Sequence, residues 1–325
     1  MDKAKAPVNG FLNLYKVSGP TSMGVLRQVK RLTGQKKRVG HGGTLDPLAE
    51  GVLPICFGQA TRLMEHLVES EKQYRMEVHL GVTTSTYDGE GEVNKRGDTS
   101  GLDRDDIEEA IKPFLGSIYQ TPPMYSAIKR DGKRLYELAR EGVEVERQPR
   151  KVEIPRIEIL EFDPPSLVLD VDSGRGAYMR SLAHDLGEAQ GCGGYLRNLV
   201  RLRSGKFTAE DAISIEKVQE SDGTENWKEY LHPVDFVLLS MKGVSVSKAA
   251  ERYIRSGRPI SLPPHIGAYA GYMERYRAYT MDGRLLAIIS YNKPINQWQP
   301  YKVFSLDTPS PYAPGEGGDG FRPHI

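Results

Sequence analysis

Asp46 sits in the run Gly40-His41-Gly42-Gly43-Thr44-Leu45-Asp46-Pro47-Leu48-Ala49-Glu50-Gly51-Val52-Leu53 and is the first acidic residue after Asp2. Between Lys3 and Leu45 the chain carries nine Lys/Arg and no Asp or Glu. A lone carboxylate that ends a cationic segment, inside a glycine-rich loop, is poorly suited to packing. It is well suited to acting on an anionic polymer that the cations have gathered. A second acid-free basic zone, 189–209, holds Arg197, Arg201, Arg203 and Lys206. The whole chain is formally +1, so the residues outside Lys3–Leu45 sum to −8 and the positive charge is local. One such run alone is most often a solvated face. Two of them flanking candidate site residues favour a nucleic-acid surface.

Other chemistries are thinly represented. Cys56 and Cys192 lie in different segments, with no CxxC or Cys/His cluster, so neither a disulfide framework nor a zinc site is expected and a reducing cytoplasm is the default. No H-E-x-x-H pair occurs, and Gly205-Lys206-Phe207 lacks the hydroxyl residue of a phosphate loop. Asp88-Gly89-Glu90-Gly91-Glu92 lacks the ligand spacing of a calcium loop and reads as a solvated turn. No stretch approaches the roughly 20 apolar residues of a membrane span, and the N-terminus lacks the apolar core of a signal peptide.

The elements that must position Asp46 follow from periodicity. Phe11–Tyr15 reads as a strand. Thr21/Ser22 then cap a helix with Val25, Leu26, Val29 and Leu32 on one face, stopped by Gly34. After the Asp46 loop come a strand over Val52–Phe57, a short helix over Gln59–Leu67 and an alternating strand over Tyr74–Leu80. Residues 82–101 read as a turn-filled loop, and Asp103 as the cap of a helix facing inward through Ile107, Ala110, Ile111 and Phe114. Segment 121–151, with eight Lys/Arg against five acids and a basic helix around Lys133–Arg140, interrupts a strand pattern that resumes at Val152–Phe162 and Leu167–Asp172. Gly174-Arg175-Gly176 turns the chain into a helix faced by Met179, Leu182, Ala183 and Leu186. This order argues for an α+β catalytic domain with a mixed sheet. A polar linker is expected at Glu220–Asn226. Beyond it come a helix over Val246–Ser256 and short strands at Tyr276–Thr280, Leu285–Tyr291 and Lys302–Leu306. The expected division is a catalytic domain over 1–220 with its insertion near 121–151, a small β-rich domain over 230–308, and a disordered tail over 309–325, which has four Pro and four Gly.

The G-H-x-G-T-L-D-P-x-A-x-G-V-L pattern of Gly40–Leu53, continuing through Gly58-Gln59-Ala60-Thr61, resembles the aspartate-bearing motif of the TruB/Cbf5 family of pseudouridine synthases. Similar segments follow in the same order. They are Lys72-Gln73-Tyr74-Arg75, Pro123-Met124-Tyr125-Ser126 with Gly132-Lys133-Arg134, Arg175-Gly176-Ala177-Tyr178-Met179-Arg180 and Leu199-Val200-Arg201-Leu202-Arg203-Ser204-Gly205. Val17 and Val200 depart from the family, which commonly has Pro and Arg there. The resemblance covers roughly residues 10–210 and implies a pseudouridine synthase fold whose insertion grips RNA, with a PUA-like C-terminal domain. The length of the insertion is similar to the bacterial branch, which modifies uridine 55 in the T loop of tRNA. The other branch works with guide RNA and partner proteins.

The resemblance implies roles residue by residue. Asp46 would be the nucleophile, working at C1′ as a retaining glycosidase carboxylate does, without metal or cofactor because the detached uracil itself re-attacks. Arg180 would be its counter-charge and Lys16 a supporting cation. Tyr74 would stack on the base, Tyr178 would line the pocket, and Leu199 would offer an apolar wall. His41 would replace the flipped uridine in the RNA stack. The expected substrate is the T arm of tRNA, handled by a monomer without obligate protein partner. A tRNA folding chaperone, whose service would survive loss of Asp46, is the competing class.

Overall fold

The computed structural model describes residues 8–126, 128–130, 132–143, 145–221, 226–263, 266 and 270–315. Its centre is a nine-stranded mixed sheet. Across the sheet the strands run Arg156–Asp163, Ser166–Ser173, Lys72–Leu80, Gly194–Ser204, Glu50–Phe57, Gly10–Lys16 and Leu231–His232, with Val39–His41 and Phe207–Thr208 added at the sides. Every pairing is antiparallel except one. Gly194–Ser204 meets Glu50–Phe57 in parallel, with Val200 opposite Glu50 and Arg201 opposite Gly51. The Asp46 loop enters the sheet at this seam.

Two-residue alternation divides the strands between two cores. Leu12, Leu14, Leu53, Ile55 and Phe57 face one layer, against Val25, Leu26 and Val29 of the helix Ser22–Thr33 and Leu182, Ala183 and Leu186 of the helix Met179–Ala189. Phe11, Val52 and Cys56 face the other layer, against Leu63, Leu67, Phe207, Val234 and Leu238. The first helix begins as its sequence dictates. Thr21 accepts from Gly24 N at 3.0 Å, and Gly34 closes the helix at φ +68° with its N–H on Arg31 O.

Several expectations need correcting. Residues 82–101, expected as a turn-filled loop, contain a hairpin, Val82–Thr84 with Val93–Arg96. The strand expected over Val152–Phe162 is two strands broken at Pro155. Arg150–Ile154 pairs with Gly116–Gln120, while Arg156–Asp163 joins the main sheet. A proline there cannot donate to a continuous ladder. The chain thus leaves at Gln120 and returns at Arg150 as an antiparallel pair. Between them lie the hairpin Lys129–Arg130/Lys133–Arg134 and the helix Leu135–Arg140.

The C-terminal strands are Gly243–Ser245, Arg275–Tyr279, Leu285–Asn292 and Gln297–Val303, in that order across one sheet. The last lies several residues earlier than expected, because Trp298 pairs with Tyr291 and also bridges Ile260. This module does not stand apart. Tyr279, Leu285, Ile288 and Phe304 share the second core with the catalytic sheet, and Leu231–His232, from beyond the expected boundary at 220, pairs with Leu12 and Phe11. The tail expected to be disordered from Pro309 packs back as far as Pro314, which lies beside Gly243. Ser310 Oγ donates to the buried Asp235 at 2.6 Å, and Ala313 touches the second core. The rest of that tail, 316–325, and the linker residues 222–225 lie outside the described residues.

Candidate active site

The backbone of the Asp46 loop is fixed from three sides by buried side chains. Ser22, in the first turn of its helix, donates to Leu45 O and accepts from Leu45 N, both at 2.8 Å. Lys16 ends its strand at 1% exposure, and its ammonium donates to Ala49 O at 2.6 Å, Pro47 O at 3.0 Å and Val17 O at 3.1 Å. Arg201, also 1% exposed, donates to Val52 O at 2.7 Å, Gly43 O at 3.2 Å and Thr44 O at 3.5 Å. Gly51 makes the close approach possible. Its φ is +99°, and a Cβ there would stand 2.2 Å from Arg201 O.

Asp46 projects from this clamped loop with its side chain 34% exposed, and Arg180 Nε donates to its Oδ2 at 2.9 Å. Arg180 is buried at the start of its helix, and every direction of its fork is used. Nη2 donates to Tyr125 O at 2.7 Å in the inserted segment, and Nη1 donates to Thr86 O at 3.2 Å. Nη1 also lies 3.7 Å from Oδ2 of Asp88. Asp88 is 4% exposed and held by the Thr86 hydroxyl and by Glu90 N at 3.1 Å. Burial pushes its carboxyl above the usual range, against the opposing pull of the Thr86 hydroxyl and Arg180. The segment read as a solvated turn therefore contributes a buried carboxylate to the site.

The root of the insertion is tied to the same helix. Gln120 accepts from Tyr178 N at 2.7 Å and donates to Tyr178 O at 2.9 Å, and Ser181 donates to Thr121 O at 2.8 Å. Tyr178 precedes this helix, and burial raises its phenol pKa. Tyr74 and Leu199 lie on the adjacent strands Lys72–Leu80 and Gly194–Ser204. Tyr74 is half-buried opposite Arg201, while Leu199 is buried opposite Met76. His41 ends the side strand Val39–His41 and is half-buried. Burial and the nearby Arg201 lower its pKa, which favours the neutral ring. Asp46, Arg180, Lys16 and Tyr178 thus cluster electrostatically, with Tyr74 and Leu199 on the strands beside them and His41 at the loop's entrance.

Two members, Arg201 and Asp88, are not marked as site residues by their local sequence. Arg201 sat in the basic zone 189–209, but nothing local separated a buried clamp from a phosphate contact. Its place on a strand beside glycine-rich Gly40–Gly51 was the available signal. Asp88 had no local signal at all.

Lys16 gives the site a measurable pH signature. Burial pushes its ammonium down to about 8 from an ordinary 10.5, against the opposing attraction of Asp46 and Glu50. Between those values the unfolded chain binds a proton that the folded chain does not, so this residue's contribution rises with pH. The stability difference between wild type and Lys16→Met should move in favour of wild type by on the order of 3 kcal/mol from pH 8 to pH 10.5. A pH-independent difference in urea unfolding would show that Lys16 titrates normally.

A family model for the N-terminal domain of TruB family pseudouridylate synthases matches residues 30–179, and one for the tRNA pseudouridylate synthase B C-terminal domain matches 180–239. The chain is 48% identical to tRNA pseudouridine synthase B of Heliobacterium modesticaldum over 67% of this chain and 72% of that one. It is 39% identical to the protein of the same name in Dehalococcoides mccartyi over 93% of this chain and 98% of that one. Among solved structures, Cbf5 in a complex with Nop10 and Gar1 superposes with a TM-score of 0.64 at 25% identity, covering 92% of this chain and 85% of that one. A chain of an H/ACA RNP bound to a substrate RNA containing 2′-deoxyuridine shares the fold, at TM-score 0.67 and 24% identity over 91% of this chain and 85% of that one. The chain belongs to the TruB family of pseudouridylate synthases.

Proposed function

We propose that this enzyme isomerises uridine 55 in the T loop of tRNA to pseudouridine, with Asp46 as nucleophile on a flipped base. One observation carries the assignment to Asp46: of the two carboxylates that share the Arg180 guanidinium, only Asp46 is open to a substrate, at 34% side-chain exposure against 6% for Asp88. The Asp46 carboxylate attacks C1′, or assists a glycal-like intermediate, as the C1′–N1 bond breaks. The freed uracil turns within the pocket beside Tyr74 and Tyr178. C5 then bonds to C1′ as the carboxylate leaves, the C5 proton passes to water, and N1 takes a proton from water, so that the product carries N1–H. Leu199 supplies an apolar wall, Arg180 fixes the attacking oxygen and Lys16 holds the loop. The reaction needs no redox step, since substrate and product are isomers.

The basic segments before Asp46 and around the insertion support a phosphate-tracking role, and the T arm is the expected target. The enzyme acts as a single chain on bare tRNA. Purified protein in EDTA should release one tritium per modified uridine from a transcript carrying 5-tritiated uridine. Tight binding without release would move the assignment to a tRNA chaperone, or to a subunit that needs a guide partner.

Flipping a base out of a loop costs a few kcal/mol, and a ring that takes its stacking place offsets part of that. His41 stands at the loop entrance as a half-buried ring. His41→Ala should therefore slow single turnover by about 30-fold, and His41→Phe by only about threefold. Equal losses would remove the wedge role.

A further inference from the structure

Tyr87 has φ +64°, a left-handed conformation that bulky residues rarely adopt. The strain is held in place by its neighbours. Its ring stacks on His184 with centroids 3.8 Å apart and planes 8° apart. Its carbonyl accepts from Leu196 N at 2.9 Å, and two residues later Gly89 N donates back to Leu196 O at 3.1 Å. His184 lies one helical turn beyond Arg180, on the same face of Met179–Ala189. The segment Thr86-Tyr87-Asp88 thus meets that face at three consecutive residues. Thr86 O accepts from Arg180, Tyr87 covers His184, and Asp88 faces Arg180. A strained backbone between two groups that hold a catalytic side chain points to a functional constraint.

We propose that the Tyr87–His184 stack is a positioning device for the Arg180–Asp46 pair, setting the segment that presents Thr86 O and Asp88 to the guanidinium. This rests on the assignment of Asp46 as nucleophile. Neither ring touches Asp46 or reaches the substrate in this role. Both act through Arg180. Strand Gly194–Ser204 anchors the segment from one side through Leu196, and the stack anchors it from the helix side. Without the stack, the carbonyl and carboxylate on either side of Tyr87 lose their common reference to the helix. Arg180 Nε then no longer aims Asp46 Oδ2. Burial lowers the pKa of His184, so the contact is chiefly one between two neutral aromatic faces. A phenylalanine can replace the tyrosine in it.

The test is single-turnover pseudouridine formation together with tRNA affinity and thermal unfolding, on full-length Tyr87→Gly, Tyr87→Phe and His184→Ala. Glycine removes the stack but accepts the left-handed backbone without strain, so it separates positioning from stability. Tyr87→Gly and His184→Ala should each slow the chemical step by about 30-fold, on the scale of displacing a positioned group, with tRNA affinity within about twofold. Tyr87→Phe should stay within about twofold of wild type. Added to Asp88→Asn, Tyr87→Gly should slow the step no further, because both act through one guanidinium. Wild-type rates for Tyr87→Gly and His184→Ala would overturn the proposal. So would losses in parallel with tRNA affinity, or full additivity with Asp88→Asn. Failure of wild type itself to form pseudouridine would instead strike the assigned reaction.

Discussion

Asp46→Asn should lose pseudouridine formation by about four orders of magnitude or more, while binding tRNA within about threefold of wild type. The carboxylate holds little else in place. Its loop is fixed through backbone groups by Ser22, Lys16 and Arg201, none of which bonds to the Asp46 side chain. The asparagine oxygen can still accept from Arg180 Nε, so the guanidinium keeps its place. The change removes nucleophilic charge and leaves shape. A side chain one-third exposed is also a poor contributor to stability, so the melting temperature should barely move. Tritium release, gel-shift affinity and thermal unfolding on one preparation decide the matter. Release at more than about one-hundredth of the wild-type rate would exclude Asp46 as the nucleophile. Asp88 would not replace it, because its carboxylate is enclosed by Thr86, Glu90 N and Arg180.

The loop that carries Asp46 was legible because its residue types are dictated within one short window. Gly51 takes a positive φ against Arg201, and Pro47 and Ala49 offer their carbonyls to Lys16. Arg180 was found through its segment rather than through any local signal. What the sequence hid was long-range. Asp88 looks like a solvated turn because its neighbours Gly89, Glu90, Gly91 and Glu92 are small or acidic. Its burial comes from the helix Met179–Ala189, some ninety residues away. Arg201 has the same difficulty, since three carbonyls of a distant loop convert a basic residue into an internal clamp. The contacts between the two expected domains were hidden in the same way. Composition turns polar near residue 220, yet Leu231–His232 returns to pair with the first strand, and the C-terminal sheet lends Tyr279, Leu285 and Phe304 to the catalytic core. A polar stretch marks a surface segment, and it need not separate two cores.

Arg180→Leu should damage stability and rate together, where Asp46→Asn damages rate alone. The guanidinium is 4% exposed and lies between two carboxylates, one of them 4% exposed itself. Removing it leaves Asp88 as a buried charge without its cation, which costs about 3–5 kcal/mol. The chemical step should fall by about three orders of magnitude, since Asp46 loses the donor that aims it and the insertion loses the Tyr125 anchor. The stability loss has a diagnostic pH dependence. Burial already raises the Asp88 carboxyl, and without Arg180 its folded-state pKa rises further above the unfolded value. The folded variant then holds a proton that the unfolded chain releases, so its stability falls as pH rises through that interval. The deficit relative to wild type should therefore shrink in mildly acidic buffer and grow towards neutrality. Adding Asp88→Asn should recover about half of the stability at pH 7, because the uncompensated charge is gone. It should recover none of the rate, because Asp46 still lacks its donor. Recovery of the rate together with the stability would mean that Arg180 serves only to neutralise Asp88, and that Asp46 is aimed by something else.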